Sequence, residues 1–263
     1  MDYLPAQAGW HWFRQGLQLF RQQPGAMTTL MLGYMLATTG LYLIAPIGPI
    51  IWAVLAPAAG IAFLEGCRYI DNGQRVTPAL LISGMAKPAF GALCKLGAAL
   101  LALQFVAALV SYLATDEKAV TDLFKLMQTL PPTEQSAAQL DMSPLRPIML
   151  ASFAYFCLAL TMVFAAPLIY WRKMTAPKAM FFSFFAFLRS IKAMLVLLLA
   201  MCGMTLLLMV MIATLLGGSP LSAVIMLWMM FLMYLVLHCA VYCAYRQIFG
   251  FPPPEAPGTA PAL

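Results

Sequence analysis

The chain has 263 residues, 63% of them hydrophobic and only 9% charged. A water-soluble domain carries about 25% charged residues, so this composition excludes a soluble globular protein and points to an integral membrane protein. A formal net charge of +6 would suggest a nucleic-acid partner in a soluble chain; here the cations are expected to set orientation in the bilayer, with no nucleic acid involved.

Met1–Gln7 lacks the basic segment of a secretory signal, and the first apolar run is long enough to span, so it is expected to stay in the membrane. Gly9–Gln23 precedes that run. On a helical wheel Arg14, Arg21, Gln18, His11, Gln22 and Gln15 fill one arc, and Leu19, Trp12, Phe20, Phe13, Leu17 and Trp10 fill most of the other. This is the pattern of a helix lying in the membrane interface, with Trp10, Trp12, Arg14 and Arg21 as expected lipid contacts. A structural anchor is the simpler role for such a helix, and lipid sensing the sharper one. Pro24 then turns the chain into the first run.

Six runs approach the ~20 apolar residues that cross a hydrocarbon core. They are Ala26–Ile44, Pro49–Cys67, Ala89–Leu113, Pro147–Trp171, Ala193–Leu216 and Leu221–Tyr245. Pro57 and Pro167 could interrupt the second and fourth. The connections "APIGPI" and "LGGSPL" are short and rich in Pro and Gly, as tight hairpins require. The segments Gly9–Gln23, Pro78–Lys87 and Pro177–Ser190 lead into runs one, three and five, and "CRYID", "YWRKM" and "AYRQIF" close runs two, four and six. The expected fold is therefore an all-α membrane protein: six transmembrane helices as three repeated hairpins, each preceded by a cytoplasmic interfacial helix. The units cover about residues 9–71, 77–174 and 176–249 of a single transmembrane domain, 1–250. Parallel units of this kind predict a pseudo-threefold axis along the membrane normal.

In the third lead-in segment Ala179, Ser183, Ala186 and Ser190 form a stripe of small residues, expected to pack on protein. Met180, Phe181, Phe184, Phe185, Phe187 and Leu188 fill the opposite arc, expected to meet lipid or a second layer. The polar insert 114–146 interrupts the second unit, and the Pro- and Ala-rich tail 251–263 reads as disordered. Twelve of the fifteen Lys and Arg residues fall on the side of the lead-in segments; Lys118, Lys125 and Arg146 lie in the insert. The positive-inside rule then puts both termini in the cytoplasm and the insert outside.

Chemistry is sparse. No metalloprotease, nucleophile-elbow, phosphate-loop or dinucleotide motif is present, and an enzyme is not expected. None of the six cysteines makes a C-x-x-C pair, so no disulfide framework is expected. His238, Cys239 and Cys243 make a loose ligand set, and nine methionines in the last two runs suit packing as well as a soft metal. Neither pattern carries a metal or cofactor assignment. Glu65 is the acidic residue that falls inside a run, near its cytoplasmic end. A charge at that depth needs a cation, and Arg68, at i+3, and Arg172 and Arg246, at matching span ends, are the expected partners of an intramembrane ion pair.

The stretches "GWHWFRQGLQLFRQQP", "IAFLEGCRYIDNGQ", "APLIYWRKMTAPKAMFFSFFAFLRS" and "AYRQIFG" resemble a family of uncharacterised proteobacterial inner-membrane proteins built from three such units. The resemblance implies an inner-membrane location and six spans, and transfers no catalytic residue. The layout is more distantly similar to membrane domains attached to glycerophosphodiester phosphodiesterases, which implies a lipid context. The expected function is that of a non-enzymatic scaffold, assembly or membrane-homeostasis factor. Its expected partners are membrane lipids and another membrane protein. The alternative is a transporter or channel for an apolar or lipid-like molecule.

Overall fold

The structure is a computed structural model that describes residues 4–116, 118–122, 125, 143–217 and 219–251. Most of the insert and nearly all of the tail lie outside the described residues. Among those described, every secondary-structure element is helical. In chain order these are α1 (Gln7–Gln22), α2 (Pro24–Tyr42), α3 (Ile47–Asp71), a 3-10 segment (Pro78–Met85), α4 (Ala89–Ala114), a 3-10 turn (Ser143–Leu145), α5 (Arg146–Thr161), α6 (Ala165–Arg172), α7 (Ala176–Arg189), α8 (Ile191–Leu216) and α9 (Pro220–Phe249). The chain divides into two compact units, one of Met1–Ala98 with Thr161–Leu263 and one of Ala99–Leu160.

Among the described residues five stretches are long and apolar enough to cross a membrane: α3, α4, the stretch Ser143–Arg172 that holds α5 and α6, α8 and α9. Helix α2, expected as a sixth span, has 19 residues but is diluted by Thr28, Thr29, Thr38 and Thr39 and by Gly25, Gly33 and Gly40. Thr28, Thr29 and Thr38 donate their hydroxyls to carbonyls one turn back, at 2.8–2.9 Å, which hides much of that polarity within the helix.

The two prolines act differently. Pro57 sits inside an unbroken α3. Pro167 lies in the first turn of α6, and the chain breaks just before it, at turn residues 162–164. Proline has no N–H to give and crowds the carbonyl four residues back. The groups that the break frees are recovered by Ser183 on α7. Its hydroxyl donates to the Thr161 carbonyl at 2.7 Å and accepts from the Phe164 N–H at 3.1 Å.

The three lead-in segments are not equivalent. The second is a 3-10 segment against α2 and α3, with Leu80 and Gly84 buried. Pro78, Gly84 and Pro88 flank or punctuate it, and so short a stretch favours the tighter turn. The third, α7, packs on α6 with Ala179 and Ser183 buried, while Phe181, Phe182 and Phe185 stay exposed and Phe187 turns inward.

The first, α1, departs most from expectation. It packs lengthwise on α8 and α9, with Trp12, Phe13 and Leu19 buried. Gly9 and Gly16 make this approach possible. A Cβ at Gly9 would lie 2.0 Å from the Ala193 carbonyl oxygen on α8, and one at Gly16 2.6 Å from the Ala240 backbone nitrogen on α9. Trp12, Phe13 and Leu19 of the apolar arc therefore cover protein.

The core of the first unit gathers at one end of its helices. It takes residues 58–70 of α3, α6 from Ala165 to Trp171, and α9 from Leu235 to Tyr245. Elsewhere Leu36, Leu43, Leu199 and Leu215 stand exposed. A soluble monomer does not carry apolar surface on this scale, and lipid is its natural cover.

Candidate functional site

Two features stand out in the first unit: an apolar groove along the middle of the long helices and a set of polar ties at the end where the core gathers. The groove is bounded by α2, α8 and α9 and has a volume of about 780 Å³, within the range of roughly 300–1,000 Å³ typical of ligand pockets. Six methionines line it, Met31, Met35, Met201, Met209, Met230 and Met233, together with leucines, Phe231, Cys202, Thr205, Tyr34 and Tyr234. No charged residue is among them. Thr205 spends its hydroxyl proton on the Met201 carbonyl at 2.8 Å. Methionine is unbranched and conforms to irregular shapes, so the wall suits a flexible apolar occupant.

One wall of the groove is stiffened from behind. The Tyr34 ring packs against Trp52 and Phe63 at centroid distances of 5.0 and 5.2 Å. His238 hydrogen-bonds the Tyr234 carbonyl through Nδ1 at 3.0 Å and lies 5.1 Å from the Phe63 ring. His238 thus serves as a packed, locally bonded side chain. Among the described residues no group of three or more His, Cys, Asp or Glu could hold a metal ion, and all six cysteines are free.

The polar ties begin with Glu65. Its carboxylate is 1% exposed. Oε2 accepts from Arg68 Nε at 2.9 Å and Nη2 at 2.7 Å, and Oε1 accepts from the Trp171 indole N–H on α6. A second centre forms around Asp71, where Arg246 Nη1 reaches both carboxylate oxygens at 2.7 Å and the Tyr242 hydroxyl donates to Oδ2 at 2.9 Å. Arg172 donates to the Phe249 carbonyl at the end of α9. Trp12 Nε1 donates to Gln247 Oε1. Between these centres the Cys67 and Cys239 thiols meet at 2.9 Å, wholly buried. Helices α1, α3, α6 and α9 are thereby tied together toward one end.

The expected ion pair forms in part. Glu65 and Arg68 come together, but Arg172 and Arg246 bind elsewhere. Asp71 lies six residues beyond Glu65, about 9 Å further along α3, and it takes Arg246. The backbone of α9 takes Arg172. The sequence reading overlooked Asp71, Trp171 and Tyr242. An indole N–H and a phenol at buried span ends each need an acceptor, and Glu65 and Asp71 are the carboxylates at hand.

Of the expected lipid contacts, Trp12 is corrected: it is wholly buried against α9 and α8, and its indole N–H bonds to protein. An amphipathic pattern marks an apolar face without saying whether lipid or protein covers it. Trp10 is 47% exposed, and Arg14 and Arg21 are exposed on the polar arc.

The chain is 29% identical over 259 residues to a protein of Burkholderia thailandensis named "probable inner membrane protein", covering 96% of this chain and 94% of that one. No family model matches the chain, and no solved structure matches it. The full-length similarity and the five apolar helices make it a multi-pass inner-membrane protein.

Proposed function

We propose that the protein is a non-enzymatic inner-membrane factor that holds an apolar, lipid-like molecule in the groove between α2, α8 and α9. The observation that carries this reading is the groove itself: about 780 Å³, uncharged throughout and walled by six methionines. Its rim residues Leu206 and Met230 are exposed, which suits entry of an acyl chain sideways from the bilayer. The lipid context of the glycerophosphodiester phosphodiesterase resemblance points the same way. The test is mass spectrometry of lipids retained by the purified protein. Leu206→Trp and Met230→Trp fill the groove from exposed positions, so both variants should fold and lose the retained species. Identical lipids at identical ratios in wild type and both variants would overturn the reading.

In this reading α2 crosses the membrane as a sixth span, because its connection to α3 is only the four residues 43–46. Both termini lie in the cytoplasm, and the three hairpins keep their sequence-level relation as parallel units. Trp10, Arg14 and Arg21 then meet lipid at the cytoplasmic interface, as does the exposed face of α7. A second reading, a scaffold for another membrane protein, is favoured by that face, where the Phe181 ring meets Phe182 edge-on and Phe185 at a tilt, with centroid distances of 6.0 and 4.6 Å.

A further inference from the structure

We infer that a second cavity, between α1 and α9, is a binding site for a small phosphate-ester anion. It has a volume of about 530 Å³ and is separate from the groove, so it stands or falls independently of the lipid reading. Gln7, His11 and Gln15 line it from α1, and Arg246 and Gln247 from α9. Residues at i, i+4 and i+8 on one helix and adjacent positions on the other converge on it. No carboxylate is among its lining residues.

The donors are positioned before any ligand arrives. Asp71 grips Arg246 through Nη1 alone, with both contacts at 2.7 Å. The opposite edge, Nε and Nη2, has no hydrogen-bond partner among the described residues. That edge presents two parallel N–H groups, the arrangement that suits a phosphate or carboxylate oxygen pair. The Phe251 ring lies 5.1 Å from the guanidinium carbon and holds its plane. Gln247 accepts from Trp12 through Oε1, which leaves its NH₂ to donate. His11 and Gln15 are exposed and supply further donors from the other wall. Asp71 balances the charge of Arg246, so recognition rests on directed hydrogen bonds more than on net charge. A tetrahedral phosphate, with several acceptors in different directions, answers such a set better than a planar carboxylate.

The phosphate could belong to a lipid headgroup or to a soluble ester, and the experiment separates the two. The full chain is placed in phosphatidylcholine nanodiscs and titrated with inorganic phosphate by calorimetry. In parallel, nanodiscs containing phosphatidic acid are compared with pure phosphatidylcholine by native mass spectrometry. Saturable binding in the first arm indicates a soluble ester, and selective retention in the second alone a headgroup. Gln15→Glu and His11→Glu place a negative charge on the exposed wall and should weaken binding about tenfold each. Arg246→Lys keeps a cation for Asp71 but removes the two-donor edge, and should cost a similar factor. Absence of saturable binding in both arms, or binding indifferent to all three substitutions, would overturn the proposal.

Discussion

Glu65 shows how one side chain can fasten a bundle. Its two oxygens face in different directions, one to Arg68 on its own helix and one to Trp171 on α6. Removing one partner of a buried ion pair strands the other, at a cost of about 3–5 kcal/mol. Glu65→Ala is expected to lower detergent stability by an amount in that range. Glu65→Gln keeps an acceptor for Trp171 and loses only the charge opposite Arg68, so it should cost less. Thermal unfolding of both variants, with wild type alongside, checks the order; equal stability of all three would contradict a fastening role. The pairing with Arg68 was legible in the sequence because i+3 spacing on a helix is a local fact. Trp171 was not, because contact between α3 and α6 depends on how non-adjacent helices pack. The same limit sent Arg246 to the wrong carboxylate, since a difference of six residues along α3 decides the match and the sequence does not set relative depth that finely.

Among the elements, α1 is the most instructive. Trp12, expected to meet lipid, is covered by protein together with Phe13 and Leu19, because in a membrane protein the hydrophobic effect does not distinguish a lipid neighbour from a helix neighbour. The sequence held a clue in Gly9 and Gly16, seven residues apart and so on nearly one face. A lipid-facing helix has no need of that smooth strip, whereas a close helix crossing does. Gly16→Ala would push a methyl group to within 2.6 Å of the α9 backbone. Overpacking of this kind costs roughly 1–3 kcal/mol. The variant should unfold at lower temperature and shift Trp12 fluorescence toward the red as the indole is exposed. An unchanged spectrum and melting point would show that α1 does not need this contact. The Pro167 break was anticipated from the residue itself. Its repair by Ser183 was not, because the small-residue stripe on α7 predicted close packing but not which backbone groups would be waiting there.

On the scale of the whole molecule, the membrane class followed from composition alone, and five of the expected spans coincide with helices long and apolar enough to cross. Helix α2 shows why counting spans is harder than finding them. Its threonines and glycines lower its mean hydropathy while leaving its length and its hairpin connection intact. Topology decides the point. Reporter fusions after Gln23 and at residue 45 should report opposite sides of the membrane, and fusions within 114–146 should match the one at residue 45. Matching signals from the first two would remove α2 from the spans. A cytoplasmic signal from the 114–146 fusions would reverse the assignment made from the basic residues.

The bond between Trp12 and Gln247 joins residues 235 positions apart, and this has a consequence in time. A chain is made from its N-terminus at about 5–20 residues per second. Helix α1 therefore emerges roughly 10–50 s before the stretch of α9 that finally covers it. Through that interval its buried face has α8 to rest on only late and α9 last of all. Completion of α9 then gives Trp12 its hydrogen-bond partner and its cover, and a chain that stops short of it lacks both.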